Sequence, residues 1–188
     1  LKFKLRKGGQ VFKTHGVGID LNRFNICNEE QKIRLRFKFG IDQNAFVFIC
    51  VGELSKRKNQ EQIIRAFKKY YETVNNSMLL IVGTGDLADK YEELTKELKI
   101  SDNVWLTGYR RDIADLLCVS DVAISASKSE GLPVNVMEAM STGIPTIVTN
   151  CRGNVDLIED GKTGLVASVD NVEEMAAAML RIYKNPNL

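Results

Sequence analysis

The sequence predicts an α/β fold, a Rossmann-like parallel sheet with helices on both faces. Strand and helix patterns alternate from about residue 46 to the end of the 188-residue chain. The first strand candidate, 45–51, is a continuous apolar run, which is typical of a strand buried on both faces. Links between the segments are short, and repeated β–α units with short links favour a parallel sheet. We therefore expect one domain over residues 1–188.

Each element follows from the apolar periodicity and from the polar residues or glycines that bound each run. The helix after the first strand, for example, carries Ile63, Ile64 and Phe67 at helical spacing. The predicted strands are 45–51, 78–82, 103–106, 121–125, 144–149 and 164–166. The predicted helices are 59–71, 87–98, 112–118, 133–140 and 172–183, with a helical turn at 154–158.

Residues 1–45 differ from the repeated units and are predicted to lead into them. The pattern indicates a strand at 11–18 that enters a turn, followed by a helix at 28–38. Asn28 and Gln31 have the spacing of a capping box, in which each side chain accepts a hydrogen bond from the other residue's backbone amide. No stretch rich in Pro, Gly or Ser separates this lead-in from the rest of the chain.

Composition excludes several classes of function. The 26 basic and 24 acidic residues leave a net charge of +2, so the surface as a whole does not indicate binding to nucleic acid or to a membrane. No apolar run reaches the roughly 18 residues of a membrane span. The single histidine, His15, cannot support a histidine-rich metal site or a Ser-His-Asp triad. Cys50 and Cys118 lie in apolar runs and are predicted to be reduced core thiols, as in a cytoplasmic protein.

The most informative stretch runs from 129 to 140, where a polar loop follows a strand and a helix starts at Pro133. Such a geometry directs free backbone N–H groups and the positive end of the helix dipole at one point, which suits a phosphate. Glu130 lies before this helix and Glu138 lies within it. The two carboxylates are placed to accept hydrogen bonds from hydroxyl groups, so the predicted ligand is a sugar nucleotide.

A second candidate segment is the loop after the first strand. Gly52 allows a sharp turn, and Lys56, Arg57 and Lys58 follow at the carboxyl end of the strand. Cations in this position could neutralise a diphosphate. The alternative interpretation is a solvated basic turn.

Gly83 and Gly85 follow the second predicted strand and nearly match the dinucleotide fingerprint Gly-x-Gly-x-x-Gly/Ala. An NAD-type oxidoreductase domain is therefore an alternative hypothesis. The fingerprint requires an acidic residue about 20 positions later, at the end of the next strand, to bind the ribose. The corresponding stretch here, 105–109, contains no acid, and the first acid after it is Asp112. This disfavours NAD. Because no Asp-x-Asp occurs, the usual metal anchor of a nucleotide diphosphate is also missing, and we expect no metal.

Taken together, these segments resemble the retaining glycosyltransferases of the GT-B fold, the large group 1 family (family four), over about residues 16–183. The most specific part is Glu130-x7-Glu138, with Gly-Leu-Pro between the glutamates and Glu-Ala-Met and Gly-Ile-Pro after them. The segments around Gly16, Gly52, Gly83 and Gly108 occur in the family's order.

The resemblance implies a role for each position. Lys58 would bind the donor diphosphate, with Gly52, Arg57, Gly83 and Gly85 beside it. The segment Gly131, Leu132, Pro133 and Val134 would bind the same group through the main-chain N–H groups of its three residues other than proline. Glu138 would bind the ribose, and Glu130, the candidate catalytic residue, would contact the transferred sugar. The backbone at Gly108, Tyr109 and Arg110 would face the base.

The resemblance also implies partners. The donor would be a nucleotide-diphosphate sugar, used without a cofactor or metal, and nucleic acid is not an expected partner. An acceptor saccharide or lipid-linked saccharide would bind through an N-terminal lobe that this sequence does not contain. The C-terminal, donor-binding lobe formed by this sequence is therefore expected to be inactive by itself. The parent enzyme would act in capsular, exopolysaccharide or cell-envelope glycan synthesis, in the cytoplasm or at the inner face of the membrane.

One residue departs from the family pattern. The family often has an arginine directly after the glycine at position 52, whereas this chain has Glu53. Either Lys56 or Arg57 would then supply the second cation, or Glu53 would orient Lys58 through a salt bridge. A non-catalytic module that binds nucleotide sugars is a further alternative, because binding and use of a donor share residues.

Overall fold

The computed structural model describes residues 17–185 and contains a sheet of six parallel strands. The spatial order is β3-β2-β1-β4-β5-β6. The strands are β1 Phe46–Val51, β2 Ser77–Val82, β3 Val104–Gly108, β4 Val122–Ser125, β5 Thr146–Thr149 and β6 Leu165–Ala167. All six predicted strands of the repeated units are confirmed, with small differences at their ends.

Within residues 17–185, six α-helices cover both faces of the sheet, and the second to the fifth of them connect consecutive strands. They are α1 Glu29–Phe39, α2 Gln60–Tyr71, α3 Ala88–Glu97, α4 Ile113–Val119, α5 Val134–Ser141 and α6 Val172–Lys184. The predicted turn at 154–158 is present, because the Ile158 amide donates to the Asn154 carbonyl over 2.9 Å. The predicted strand at 11–18 lies mostly outside the described residues, and Val17 and Gly18 are not in a strand.

Burial on both faces explains the apolar character of β1. Phe48 and Cys50 belong to the core on the side of α2, α3 and α6. Val47 and Ile49 belong to the core on the opposite side, with residues of α4 and of the lead-in segment. Alternate side chains of a strand point to opposite faces, so a strand covered on both sides is apolar throughout.

The strand order places a topological switch point between β1 and β4, because the sheet grows outward from this pair in both directions. β1 pairs with β2 on one side and with β4 on the other. In open parallel sheets the loops at such a point separate and leave a crevice beyond the carboxyl ends of the strands. The predicted phosphate loops after β1 and β4 lie at this edge.

Helix α1 begins with the predicted capping box. Asn28 Oδ1 accepts from the Gln31 amide over 2.8 Å, and the Asn28 amide donates to Gln31 Oε1 over 3.1 Å. A buried ion pair that no local sequence pattern predicts attaches α1 to the sheet. Arg36 is 4% exposed, and its Nη2 lies 2.8 Å from Oδ2 of Asp121.

The prediction that Cys118 is a reduced core thiol is wrong. Cys27 and Cys118 form a disulfide, with their Cα atoms 5.4 Å apart, which joins the lead-in segment to α4. The partners are 91 residues apart, so no local spacing could indicate the pairing. Cys50 and Cys151 are free and buried. Because a disulfide is not typical of a reducing compartment, the cysteines give no support to a cytoplasmic location.

Within residues 17–185, none of the helices is both long and apolar enough to cross a bilayer. The same part of the chain contains no group of three or more His, Cys, Asp or Glu side chains placed to hold a metal ion.

Candidate functional site

The predicted site residues lie in the loops that follow the carboxyl ends of β1 to β4, except Val134 and Glu138, which lie in α5. Hydrogen bonds join the first three of these loops. The Gly52 amide donates to Val82, the Leu54 amide to Thr84, and the Gly83 amide to Gly108, each over 2.9 Å. Since the strands are parallel, their carboxyl ends meet at the same edge of the sheet. The loops therefore form one continuous surface.

Gly83 and Gly85 allow two of these loops to touch. A Cβ atom at Gly83 would lie 2.0 Å from the Gly52 carbonyl oxygen, and one at Gly85 would lie 2.3 Å from the Leu54 carbonyl oxygen. No side chain fits at such distances from a backbone atom. Close packing between the β1 and β2 loops thus explains both glycines without a bound dinucleotide.

A cavity of about 480 Å³ opens among these loops. Its lining includes five predicted site residues: Gly52, Gly83, Gly85, Tyr109 and Arg110. Glu53 and Ile113 complete part of the wall. Tyr109 is 72% exposed, which leaves an aromatic ring accessible at the cavity.

The side chain of Arg110 is held by protein groups. Its Nε and Nη2 donate to the two carboxylate oxygens of Asp112 over 2.8 and 2.5 Å. The guanidinium also lies 5.5 Å from the ring centroid of Phe39 and 5.7 Å from that of Trp105. The hydrogen bond from Arg110 lowers the pKa of Asp112. This pair joins two residues of the loop between β3 and α4.

Two cations converge on Glu130. Lys58 Nζ lies 2.6 Å and Arg57 Nη1 lies 3.1 Å from the same carboxylate oxygen, Oε1. The side chain of Glu130 is 9% exposed and that of Lys58 is 14% exposed, whereas that of Arg57 is 49% exposed. Lys58 thus pairs with Glu130, and the salt bridge between Glu53 and Lys58, one of the two alternatives for Glu53, is not present.

The charge of Glu130 is stabilised by this pair of cations. Burial by itself would raise the pKa of the carboxyl group, but the Lys58 and Ser127 hydrogen bonds and the charges of Lys58 and Arg57 outweigh it. The net effect is a pKa below the usual value. The site therefore contains a carboxylate and two cations at neutral pH.

Helix α5 begins beside Glu130 without a side-chain cap. Pro133, the predicted first residue of the helix, is its N-cap residue, and the helix itself begins one position later at Val134. Its carbonyl accepts from the amides of Val136 and Met137. Four amides at this point donate to no acceptor within residues 17–185: those of Gly131, Leu132, Val134 and Asn135. Val134 and Asn135 belong to the first turn of α5. Free amides at the positive end of a helix dipole suit an anion.

Glu138 lies one turn further along α5, on the same side as Val134, because residues four apart share a helix face. Burial raises the pKa of its carboxyl group, and the positive charge of Arg23 opposes this rise. Arg23 belongs to the lead-in segment, and its Nη2 donates to the Arg111 carbonyl over 2.5 Å. Arg23 could not be assigned to the site from the sequence, because its proximity to Glu138 depends on how the lead-in segment packs.

Two further residues of the site were missed. Asn135 Nδ2 donates to the Val51 carbonyl over 3.0 Å, which attaches the first turn of α5 to the end of β1. Gly153 has a φ of 86°, and a Cβ there would lie 2.8 to 2.9 Å from the carbonyl oxygens of Gly131 and Glu130. The backbone of the loop after β5 thus packs directly against the loop that carries Glu130. A glycine in a loop is too weak a signal to predict such a contact.

Comparisons with known proteins show which family this chain belongs to. A model of the family described as Glycosyl transferases group 1 matches residues 31–188. The chain is 32% identical over 183 residues to EpsD of Bacillus subtilis strain 168, named as a candidate glycosyltransferase, covering 97% of this chain and 48% of that protein. It is 32% identical over 169 residues to the UDP-Gal:alpha-D-GlcNAc-diphosphoundecaprenol alpha-1,3-galactosyltransferase of Escherichia coli, covering 88% and 43%.

The fold also matches solved structures. Anabaena Alr3699/HepE, crystallised in complex with UDP and glucose, superposes with a TM-score of 0.83 at 23% identity, covering 90% of this chain and 46% of that one. The chain spans about half the length of the curated relatives it matches. These comparisons support a transferase and not the oxidoreductase alternative. The family match over most of the chain shows that this protein belongs to the group 1 glycosyl transferases.

Proposed function

We propose that this chain is the donor-binding lobe of a retaining glycosyltransferase, which moves a sugar from a nucleotide-diphosphate sugar to an acceptor hydroxyl. The observation that carries the proposal is the convergence of Arg57, Lys58 and Glu130 beside the uncapped start of α5. Two cations and a set of free amides match a diphosphate, and two nearby carboxylates match the hydroxyl groups on either side of it. No metal or cofactor has a role in this proposal.

The same groups would act during transfer. As the bond to the anomeric carbon breaks, negative charge grows on the departing diphosphate and positive charge grows on the sugar. Lys58 and the N-terminus of α5 would stabilise the negative charge on the diphosphate, and the carboxylate of Glu130 would stabilise the positive charge on the sugar. Interactions that strengthen as these charges develop lower the barrier. The cavity near Tyr109 would hold the base, and Glu138 the ribose.

The acceptor would bind to a part of the protein outside this chain. Such a division fits relatives that are about twice as long. The name of the Escherichia coli relative describes a diphosphoundecaprenol-linked acceptor, which supports a saccharide or lipid-linked saccharide here. We place the reaction in capsular, exopolysaccharide or cell-envelope glycan synthesis, at the cytoplasmic face of the membrane. The 188-residue chain alone would bind donor and transfer no sugar.

Titration of the 188-residue chain with UDP, GDP, ADP and NAD tests the proposal, with binding followed by calorimetry or NMR. One nucleoside diphosphate should bind, and NAD should not. Lys58→Ala should weaken the diphosphate but not the matching nucleoside, since only the former contacts the cation. Lys96→Ala is the matched control, because Lys96 pairs with Glu92 on α3, away from the site. Binding of NAD without any nucleoside diphosphate would refute a glycosyltransferase donor site.

A further inference from the structure

We infer that the disulfide between Cys27 and Cys118 is a site of thiol–disulfide exchange, and that the cavity beside it admits anionic low-molecular-weight thiols. The disulfide joins the lead-in segment to α4 and is not one of the groups assigned to the donor site. The cavity has a volume of about 350 Å³, and both cysteines belong to its wall. This volume lies in the range of small-molecule sites.

The disulfide can be reached from solvent through this cavity. Cys27 and Cys118 are both partly exposed, whereas the two free cysteines, Cys50 and Cys151, are buried. Exchange requires a thiolate to approach one sulfur of a disulfide directly. Of the four cysteines of the chain, the bonded pair is therefore the one that a dissolved thiol attacks.

The wall of the cavity is positively charged. Arg23, Arg34 and Lys38 line it, and Asp115 is the one acid among the described residues of the lining. Lys38 Nζ lies 3.3 Å from Oδ2 of Asp115, so these two charges offset each other. Neither arginine forms an ion pair with a residue between 17 and 185. The two remaining positive charges raise the local concentration of an anion beside the disulfide.

Reduction of the bond takes two exchanges. The first thiolate attacks one sulfur of the disulfide and forms a mixed disulfide with that cysteine, while the Cys27–Cys118 bond breaks and the other cysteine leaves as a thiolate, which takes up a proton. A second thiolate attacks the small-molecule sulfur of the mixed disulfide and releases the remaining cysteine. Two thiols are thereby oxidised to their own disulfide, and two electrons and two protons reach the protein.

Exchange would detach the lead-in segment from α4 and leave the rest of the fold in place. Phe24 is 4% exposed, and Arg23 Nη2 donates to the Arg111 carbonyl over 2.5 Å, so noncovalent contacts still hold the segment. The bonded cysteines are 91 residues apart. A disulfide that closes so long a loop restricts the unfolded chain strongly. The reduced protein should therefore be folded and should unfold at a lower temperature.

The cellular location also favours exchange over a permanent bond, and this point alone rests on the proposed function. The proposed reaction takes place at the cytoplasmic face of the membrane. Disulfides in a reducing compartment, where they occur, are usually transient and redox-sensing. An accessible disulfide in a cationic cavity fits that class.

Three thiols that share a two-carbon skeleton and differ in charge test the inference on the 188-residue chain. They are 2-mercaptoethanesulfonate, which is anionic, 2-mercaptoethanol, which is neutral, and cysteamine, which is cationic. Alkylation and mass spectrometry should count two free thiols before reduction and four after it. Per thiolate, the sulfonate should react fastest and the amine slowest, and high salt should reduce the difference because it screens the cations.

Arg34→Ala tests the role of the cavity wall. It should slow the sulfonate about twofold to fivefold, as expected for the loss of one exposed charge contact, and leave 2-mercaptoethanol unchanged. Lys96→Ala is the matched control, because Lys96 lies on α3 and pairs with Glu92. Cys118→Ser cannot form the bond, so its Tm should match that of the reduced wild type.

Three results would overturn the inference. Equal rates per thiolate for the sulfonate and the amine would remove recognition by the cavity, as would an equal effect of Arg34→Ala on the sulfonate and on 2-mercaptoethanol. Equal Tm values for the oxidised and reduced chains would remove the role of the bond in holding the lead-in segment. Four free thiols in protein purified in air would show that the bond does not form. No nucleotide takes part in these measurements, so their outcome is separate from that of the nucleotide titration.

Discussion

Asp121 provides a test of how α1 is attached to the sheet. Its Oδ2 accepts from Arg36 Nη2 over 2.8 Å and from the Val47 amide over 2.7 Å, and its Oδ1 accepts from Lys32 Nζ over 2.5 Å. The Asp121→Asn substitution removes the negative charge and keeps the shape. It leaves Arg36, whose side chain is 5% exposed, without an ionic partner.

The expected cost follows from burial. Breaking a buried ion pair by removing one partner costs about 3–5 kcal/mol, because the other charge remains desolvated. Asp121 is 20% exposed, and Arg36 keeps hydrogen bonds to the carbonyls of Val119, Gln43 and Ala45. We therefore expect the lower end, about 3 kcal/mol. For a chain of this size that corresponds to a fall in Tm of about 6–12 °C.

Urea and thermal unfolding, followed by circular dichroism, measure this loss. Asp115→Asn is the matched control, because Asp115 and Lys38 form an exposed pair with 3.3 Å between Nζ and Oδ2. It should leave the midpoint almost unchanged. The double variant Arg36→Met, Asp121→Asn should lose less than the sum of the single variants, since no buried charge is left unpaired. A loss in Asp121→Asn no greater than in Asp115→Asn would refute the reasoning.

Three further predictions concern the site. Glu138→Gln should weaken nucleotide binding in a titration and leave stability equal or slightly higher, because burial raises the pKa of Glu138 and the charged form costs stability once the pH exceeds that pKa. Gly83→Ala should unfold at a clearly lower urea concentration than wild type, because its Cβ would lie 2.0 Å from the Gly52 carbonyl oxygen. Gly131→Ala is the control and should unfold at the same urea concentration as wild type, because a Cβ there has no atom within 4 Å. The pKa of Glu130 is lowered in the folded state, so ionised Glu130 stabilises the fold above its ordinary pKa, and this stabilisation is lost as the pH falls through the folded pKa. Acid unfolding curves of wild type and Glu130→Gln should therefore converge at low pH. A constant offset between the two curves would contradict this prediction.

Much of the architecture could be predicted from local pattern. The run at β1 is apolar without alternation, and the structure buries both of its faces. The capping box of Asn28 and Gln31 was predicted from two residues and is confirmed, because such a cap depends only on neighbours in the chain. Strand ends were less accurate. β3 extends to Gly108, because pairing with β2 continues past a register shift.

The candidate site was predicted in outline. Lys58 and the Glu130 loop were assigned from separate motifs, and the structure brings them to 2.6 Å although they are 72 residues apart. The roles of Glu53 and of Gly83 could not be predicted in the same way. Glu53 forms no salt bridge with Lys58, and Gly83 is required by the neighbouring loop.

The sequence by itself determined which segments form strands and helices, and that polar loops with cations and glutamates follow the strands. These properties depend on side-chain periodicity and on caps, which are local along the chain. Only the tertiary structure decided which distant side chains meet: Arg36 with Asp121 and Arg57 and Lys58 with Glu130 as ion pairs, and Cys27 with Cys118 as a disulfide. The reason is that such contacts depend on strand order and on the packing of distant loops, and these are set by the whole core at once.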